Sequence, residues 1–118
     1  MLLFVEYPPC STCQKARRFL TERGVAFESR NIKTQPPTEA ELRAWHAASG
    51  LPLRRFFNTS GLRYRSLGLK DRLAAMDEDA QLALLATDGM LVRRPIAVAE
   101  DGRVLVGFRA AEWEQLLG

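Results

Sequence analysis

The apolar positions of the chain recur with a period that changes along its length. Leu2 to Glu6, LLFVE, is a short apolar run ended by Pro8 and Pro9, and it predicts a buried strand. After Cys10, Ser11 and Thr12 the period lengthens. Ala16, Phe19 and Leu20 share one face while Lys15, Arg17, Arg18 and Glu22 point elsewhere, which predicts a helix that Gly24 stops. Residues 25–32, VAFESRNI, predict a second strand with Val25 and Phe27 on one face. Strand, helix and strand within about 30 residues make a βαβ unit, which implies parallel pairing and a right-handed crossover.

The next stretch turns through Pro36 and Pro37 into a helix. Thr38 and Glu41 have the spacing of a capping box, Leu42, Trp45 and Ala48 give a small apolar face, and Gly50 closes the element. Turn chemistry at Asn58 to Gly61 follows a short helix around Leu53 to Phe57. Two more helices are expected, one in LKDRLAAM and one beginning near Asp77 with Leu82 and Leu85 on one face, the second ended by Gly89. The segment RRPIAVAEDGRVLVGF has two apolar stretches around Asp101-Gly102, a dipeptide favoured in tight β-turns. A last helix from about Ala110 buries Trp113, Leu116 and Leu117. The order is βαβ, a block of helices, then ββα, with no repeat and no linker.

The length of 118 residues suits one compact domain with a single core. No apolar stretch approaches the roughly 18 residues that cross a bilayer, and the N-terminus lacks the pattern of a signal peptide. A cytoplasmic, monomeric protein with no membrane contact is expected. Of the 17 basic residues fourteen are arginines, scattered among 14 acidic residues, for a net charge of +3. No run of five like charges occurs, so direct nucleic-acid binding is not expected and most of the arginines read as solvated surface.

The chemistry concentrates at Cys10 and Cys13, the only cysteines. In the reducing cytoplasm such a pair suits catalysis or sensing better than structure. Disulfide exchange needs a thiolate, and a sulfur at a helix N-terminus gains one from free backbone N–H groups and the helix dipole. Cys10 stands there. Cys13 lies one turn in, near it and more shielded. Cys10 is therefore the natural attacking thiol and Cys13 the resolving one, with Lys15 or Arg94 as nearby positive charge. A zinc site lacks ligands, since only His46 could join the pair, and a disulfide across so short a loop removes little chain entropy. Plain packing is the other alternative. His46 reads as a half-buried helix residue without a role, and Trp45 and Trp113 as packing.

The segments PPCSTCQKARRFL, RNIKTQPP, FFNTSGLRYRSLGL, DGMLVRRPI and VGF, in that order over nearly the whole chain, resemble the ArsC/Spx family, most closely its arsenate reductase-related branch near Spx. The resemblance implies an α/β, thioredoxin-like fold. Its four-stranded mixed sheet is interrupted by an all-helical insertion at about residues 38–90 of one domain spanning 1–118. It implies that Pro95 is the cis-proline beside the active cysteine and that Arg94 binds an oxyanion. The family's arsenate reductases hold arsenate with three arginines and resolve with external glutathione. Here Asn58 stands where one arginine falls, Arg109 is near the position of another, and Arg54, Arg55, Arg63 and Arg65 are candidates to compensate. The implied activity is a thiol-dependent reductase with no bound cofactor and no metal, regenerated by glutathione, glutaredoxin or thioredoxin. The alternative is an Spx-like redox switch that binds the RNA polymerase α subunit.

Overall fold

The LLFVE run becomes the central strand. In the computed structural model, which describes residues 1–117, β1 (Leu2–Glu6) pairs in parallel with β2 (Phe27–Asn31) and antiparallel with β3 (Ile96–Val98). β4 (Val104–Val106) pairs antiparallel with β3 and completes the sheet in the order β2-β1-β3-β4. The expected α/β architecture, βαβ then ββα around a mixed four-stranded sheet, is present. A strand covered on both faces reads as a continuous apolar run rather than an alternation. Leu2 and Phe4 belong to a core shared with α1 (Ser11–Glu22) and α6 (Ala110–Leu117), while Val5 belongs to a second core under the helical block.

That block lies between β2 and β3. It comprises α2 (Glu39–Ser49), a 3₁₀ turn at Leu53–Phe56, α3 (Leu62–Ser66), α4 (Leu69–Arg72), a 3₁₀ turn at Leu73–Ala75, α5 (Glu78–Ala86) and a 3₁₀ turn at Gly89–Leu91. The capping box forms at α2: the Glu41 amide donates to Thr38 Oγ1 at 3.1 Å and the Thr38 amide to Glu41 Oε1 at 3.0 Å. The same carboxylate takes a forked pair from Arg30 of β2 at 2.9 and 2.6 Å, and this, ahead of the cap, holds Glu41 down to about 2. Among the described residues no helix is long and apolar enough to cross a membrane.

Three local expectations are corrected. The second strand begins at Phe27, not Val25. Gly89 does not end a helix: α5 ends at Ala86, and Gly89 opens a 3₁₀ turn packed so closely on the Ile32 carbonyl that no Cβ fits. The turn after Asn58 leads into the unforeseen helix α3. None of its residues is buried and Leu62 is 82% exposed, so it writes no apolar period into the sequence.

One charge is buried at the end of β1. The Glu6 side chain is 1% exposed and accepts from both Arg17 nitrogens Nε and Nη2 and from the Ser29 hydroxyl. Removing one partner of a buried ion pair costs about 3–5 kcal/mol. Arg17 is 45% exposed, so water replaces part of what is lost. Arg17→Met is expected to cost about 2 kcal/mol in urea unfolding. A cost below about 0.5 kcal/mol would show that Glu6 does not depend on the pair.

Candidate active site

β1 delivers the chain to the start of α1, and Cys10 occupies the junction. Its backbone is extended (φ −74°, ψ 126°), its amide donates to the Tyr7 carbonyl at 2.9 Å, and its carbonyl accepts from the Gln14 amide at 3.0 Å. Thus Cys10 starts the helix with its backbone while its side chain makes no cap bond. The first-turn N–H groups, which have no helical partner, remain available to its sulfur. Cys10 is half-buried, Cys13 is fully buried one turn in, and both are free thiols.

The two sulfurs are displaced in opposite directions. Burial alone would raise Cys10. It is outweighed by hydrogen bonds from the Cys13 amide, the Cys13 thiol, the Arg94 guanidinium and the Thr12 amide, and the net effect holds Cys10 below the ordinary thiol value. Cys13 is pushed up to about 12, first by burial, then by the Cys10 charge and the hydrogen bond it gives to Cys10. The Tyr7 amide, 3.4 Å from Cys13 Sγ, offsets part of this. Lys15 is exposed on α1, and the cation hydrogen-bonded to Cys10 is Arg94.

An acid whose value is depressed ionises earlier as pH rises. Alkylation of Cys10 by iodoacetamide is therefore expected to rise with a midpoint below the free-thiol value of about 8.5, with one residue modified in the native protein. Arg94→Gln should move that midpoint upward. An unchanged midpoint in the variant would remove Arg94 from the site's electrostatics.

Cys10 opens on a groove of about 900 Å³ lined by Asn58, Arg63, Arg93 and Arg94 among others, and by no carboxylate. The Arg94–Pro95 bond is cis, as the resemblance implied, and Pro95 is buried. Of the candidate compensating arginines the structure brings only Arg63 here, where it also pairs with Asp88 at 3.2 Å. Arg54, Arg55 and Arg65 do not line the groove, and Arg109 is exposed beside Glu112 on another part of the surface. His46 is remote, stacked edge-on against Phe56.

Arg93 was missed. It lines the groove because Gly107, at φ +77°, leaves room for it: a Cβ there would stand 2.8 Å from Arg93 Nε. The available signal was a lone glycine in a predicted strand, which marks a close approach. Arg93 Nε and Arg94 Nη1 are both buried without an acceptor. Two desolvated guanidinium donors in the groove that Cys10 opens on suit an anionic group there.

Known proteins share this arrangement of sequence and fold. The uncharacterized protein YusI of Bacillus subtilis is 49% identical over 115 residues, covering 97% of this chain and 96% of its own. The global transcriptional regulator Spx of Enterococcus faecalis is 31% identical over 118 residues, covering 99% of this chain and 86% of Spx. The crystal structure of an ArsC family related protein from Bacteroides fragilis superposes with a TM-score of 0.94 at 51% identity, covering 98% of this chain and 96% of that one. The family model described as ArsC family matches residues 5–116. The chain therefore belongs to the ArsC family, and its sheet and helices are those of a thioredoxin-like ArsC fold.

Proposed function

We propose that this protein is a thiol-dependent reductase in which Cys10 is the nucleophile, Cys13 the resolving thiol and Arg94 the anion-binding residue. The observation that carries this reading is the placement of the two sulfurs: Cys10 starts α1 and opens on the groove with Arg94, the fully buried Cys13 thiol one turn in donates to it, and the two are displaced in opposite directions from the ordinary thiol value. The Cys10 thiolate attacks one sulfur of a disulfide and the other sulfur leaves as thiolate. Cys10 then carries no charge, so the charge that suppressed Cys13 ionisation is gone. Cys13 gives up its proton and attacks the Cys10 sulfur, the second substrate sulfur leaves, and a Cys10–Cys13 disulfide remains. The substrate disulfide has gained two electrons and the pair has lost two. A cellular dithiol or glutathione restores the pair.

An oxyanion is handled by the same steps, with water leaving when Cys10 bonds to its central atom and that atom taking the electron pair on resolution. Arg63 and Arg93 line the same groove as Cys10 and Arg94, so three guanidinium groups are available there to an anion. The test is steady-state turnover with a model disulfide and with arsenate, each under dithiol recycling. Turnover of at least one, lost in Cys10→Ser, supports the reading; no turnover of either removes it.

The similarity to Spx favours a second reading. In it the pair is a redox switch that governs docking to the RNA polymerase α subunit, with the segment bearing Arg54, Arg55, Arg63 and Arg65 as the face. Capture of α by one redox state and not the other would support it, and absence of capture in both would end it.

A further inference from the structure

The Cys10 groove does not end at Arg93. A second groove of about 620 Å³ adjoins it, and the two share Thr59 and Arg93. Arg54, Arg55 and Lys70 line the second groove, Tyr64 and Phe57 form an apolar wall with rings 6.4 Å apart, and no carboxylate lines it. Most other arginines around the fold are matched: Arg17, Arg23, Arg30, Arg43, Arg63, Arg103 and Arg109 each have a carboxylate within 4 Å. Among the described residues, no carboxylate forms an ion pair with Arg54, Arg55, Lys70, Arg93 or Arg94. These five unmatched cations thus line one continuous path that ends at Cys10, while Lys15, Arg18, Lys33, Arg65 and Arg72, also without an ion pair among the described residues, line neither groove.

We propose that the second groove binds the acidic side of a peptide whose disulfide is presented to Cys10, so that the substrate class is an acidic peptide disulfide. This deepens the reductase reading and rests on it. A solvated arginine cluster would not need the buried, unpartnered Nε of Arg93 at the junction. An extended chain advances about 3.3 Å per residue, so carboxylates two or three residues from the substrate cysteine stand about 7–10 Å further along it, on the side where the second groove joins the first through Thr59 and Arg93. Fields from like charges along a groove raise the rate of association with an opposite charge about tenfold or more at low salt.

The test uses mixed disulfides of thionitrobenzoate with two capped peptides, one carrying three glutamates around its cysteine and one three glutamines. Attack by the Cys10 thiolate on the peptide sulfur releases thionitrobenzoate, which is read by absorbance. The peptide thiolate then leaves when Cys13 closes the internal disulfide. The acidic peptide is expected to react about tenfold faster than the neutral one at low salt, with the difference shrinking as salt rises. Arg54 and Lys70 are exposed and lie outside the Cys10 groove, so Arg54→Gln/Lys70→Gln should fold normally. That double variant should bring the two rates within about twofold while leaving the neutral rate unchanged. Equal rates in the wild type, or a preference that survives the double variant, would overturn the assignment while leaving the reductase reading intact. No release from either peptide would instead overturn the reductase reading, and this inference with it.

Discussion

Under the proposed reductase chemistry, Cys10→Ser is expected to lower disulfide turnover by about 10³-fold or more, because a serine hydroxyl does not ionise near neutral pH and cannot form the first bond. Cys13→Ser has a different signature. A buried hydroxyl there is close in size to the thiol, which accepts from the Tyr7 amide and donates to Cys10, so it should keep both bonds and the first attack is expected to persist. Resolution does not, and a Cys10–substrate mixed disulfide accumulates as a mass adduct that only added thiol releases. Single-turnover release of the first leaving group should therefore stay within about threefold of wild type in Cys13→Ser while steady-state turnover falls by about 10²-fold or more. If Cys13→Ser also lost the first step, the two sulfurs would not have the separate roles assigned to them. If Cys10→Ser kept turnover, the nucleophile would lie elsewhere.

The βαβ start was legible because its signals are local. An apolar run covered on both faces, a helix with one buried stripe, and a CxxC at the junction each lie within a few residues of one another in sequence and in space. The ββα end was legible for the same reason: Gly102, at φ +92°, closes the turn that Asp101-Gly102 advertises. What the sequence hid depends on distant contacts. Gly89 reads as a helix stop, yet its reason is the carbonyl of Ile32, 57 positions away by residue number. Arg93 is one of fourteen arginines with the same chemistry, and its place in the groove that Cys10 lines is set by the absence of a side chain at Gly107. The resemblance located Arg94 but aimed at Arg109, which the fold turns out to solvent. The path of unmatched cations has no linear signature, because it joins the 3₁₀ turn after α2, the start of α4 and the segment before β3.

Trp113 joins the core to the groove, and replacing it should unfold the protein more readily than any other change considered above. The side chain is fully buried in the core between α1, α6 and the sheet. It meets Phe4 and Phe108 edge-on, with centroids at 6.0 and 5.2 Å. Trp113→Ala removes that contact area and leaves a cavity, at a cost of about 3–5 kcal/mol. That is a large share of the roughly 5–15 kcal/mol that holds a typical native domain. Trp113→Phe separates packing from polarity. The indole N–H donates to the Gly107 carbonyl at 3.0 Å, and phenylalanine leaves that buried acceptor without its partner, at about 1–3 kcal/mol. Gly107 is the residue that makes room for Arg93, and Phe108 lines the Cys10 groove. Trp113→Phe is therefore expected to weaken inhibition by inorganic oxyanions as well as stability, although Trp113 itself does not line the groove. Urea midpoints and oxyanion inhibition of Cys10 alkylation measure the two effects. A Trp113→Phe variant with wild-type stability would mean that the Gly107 carbonyl is satisfied without the indole, and that the core does not set the position of Arg93.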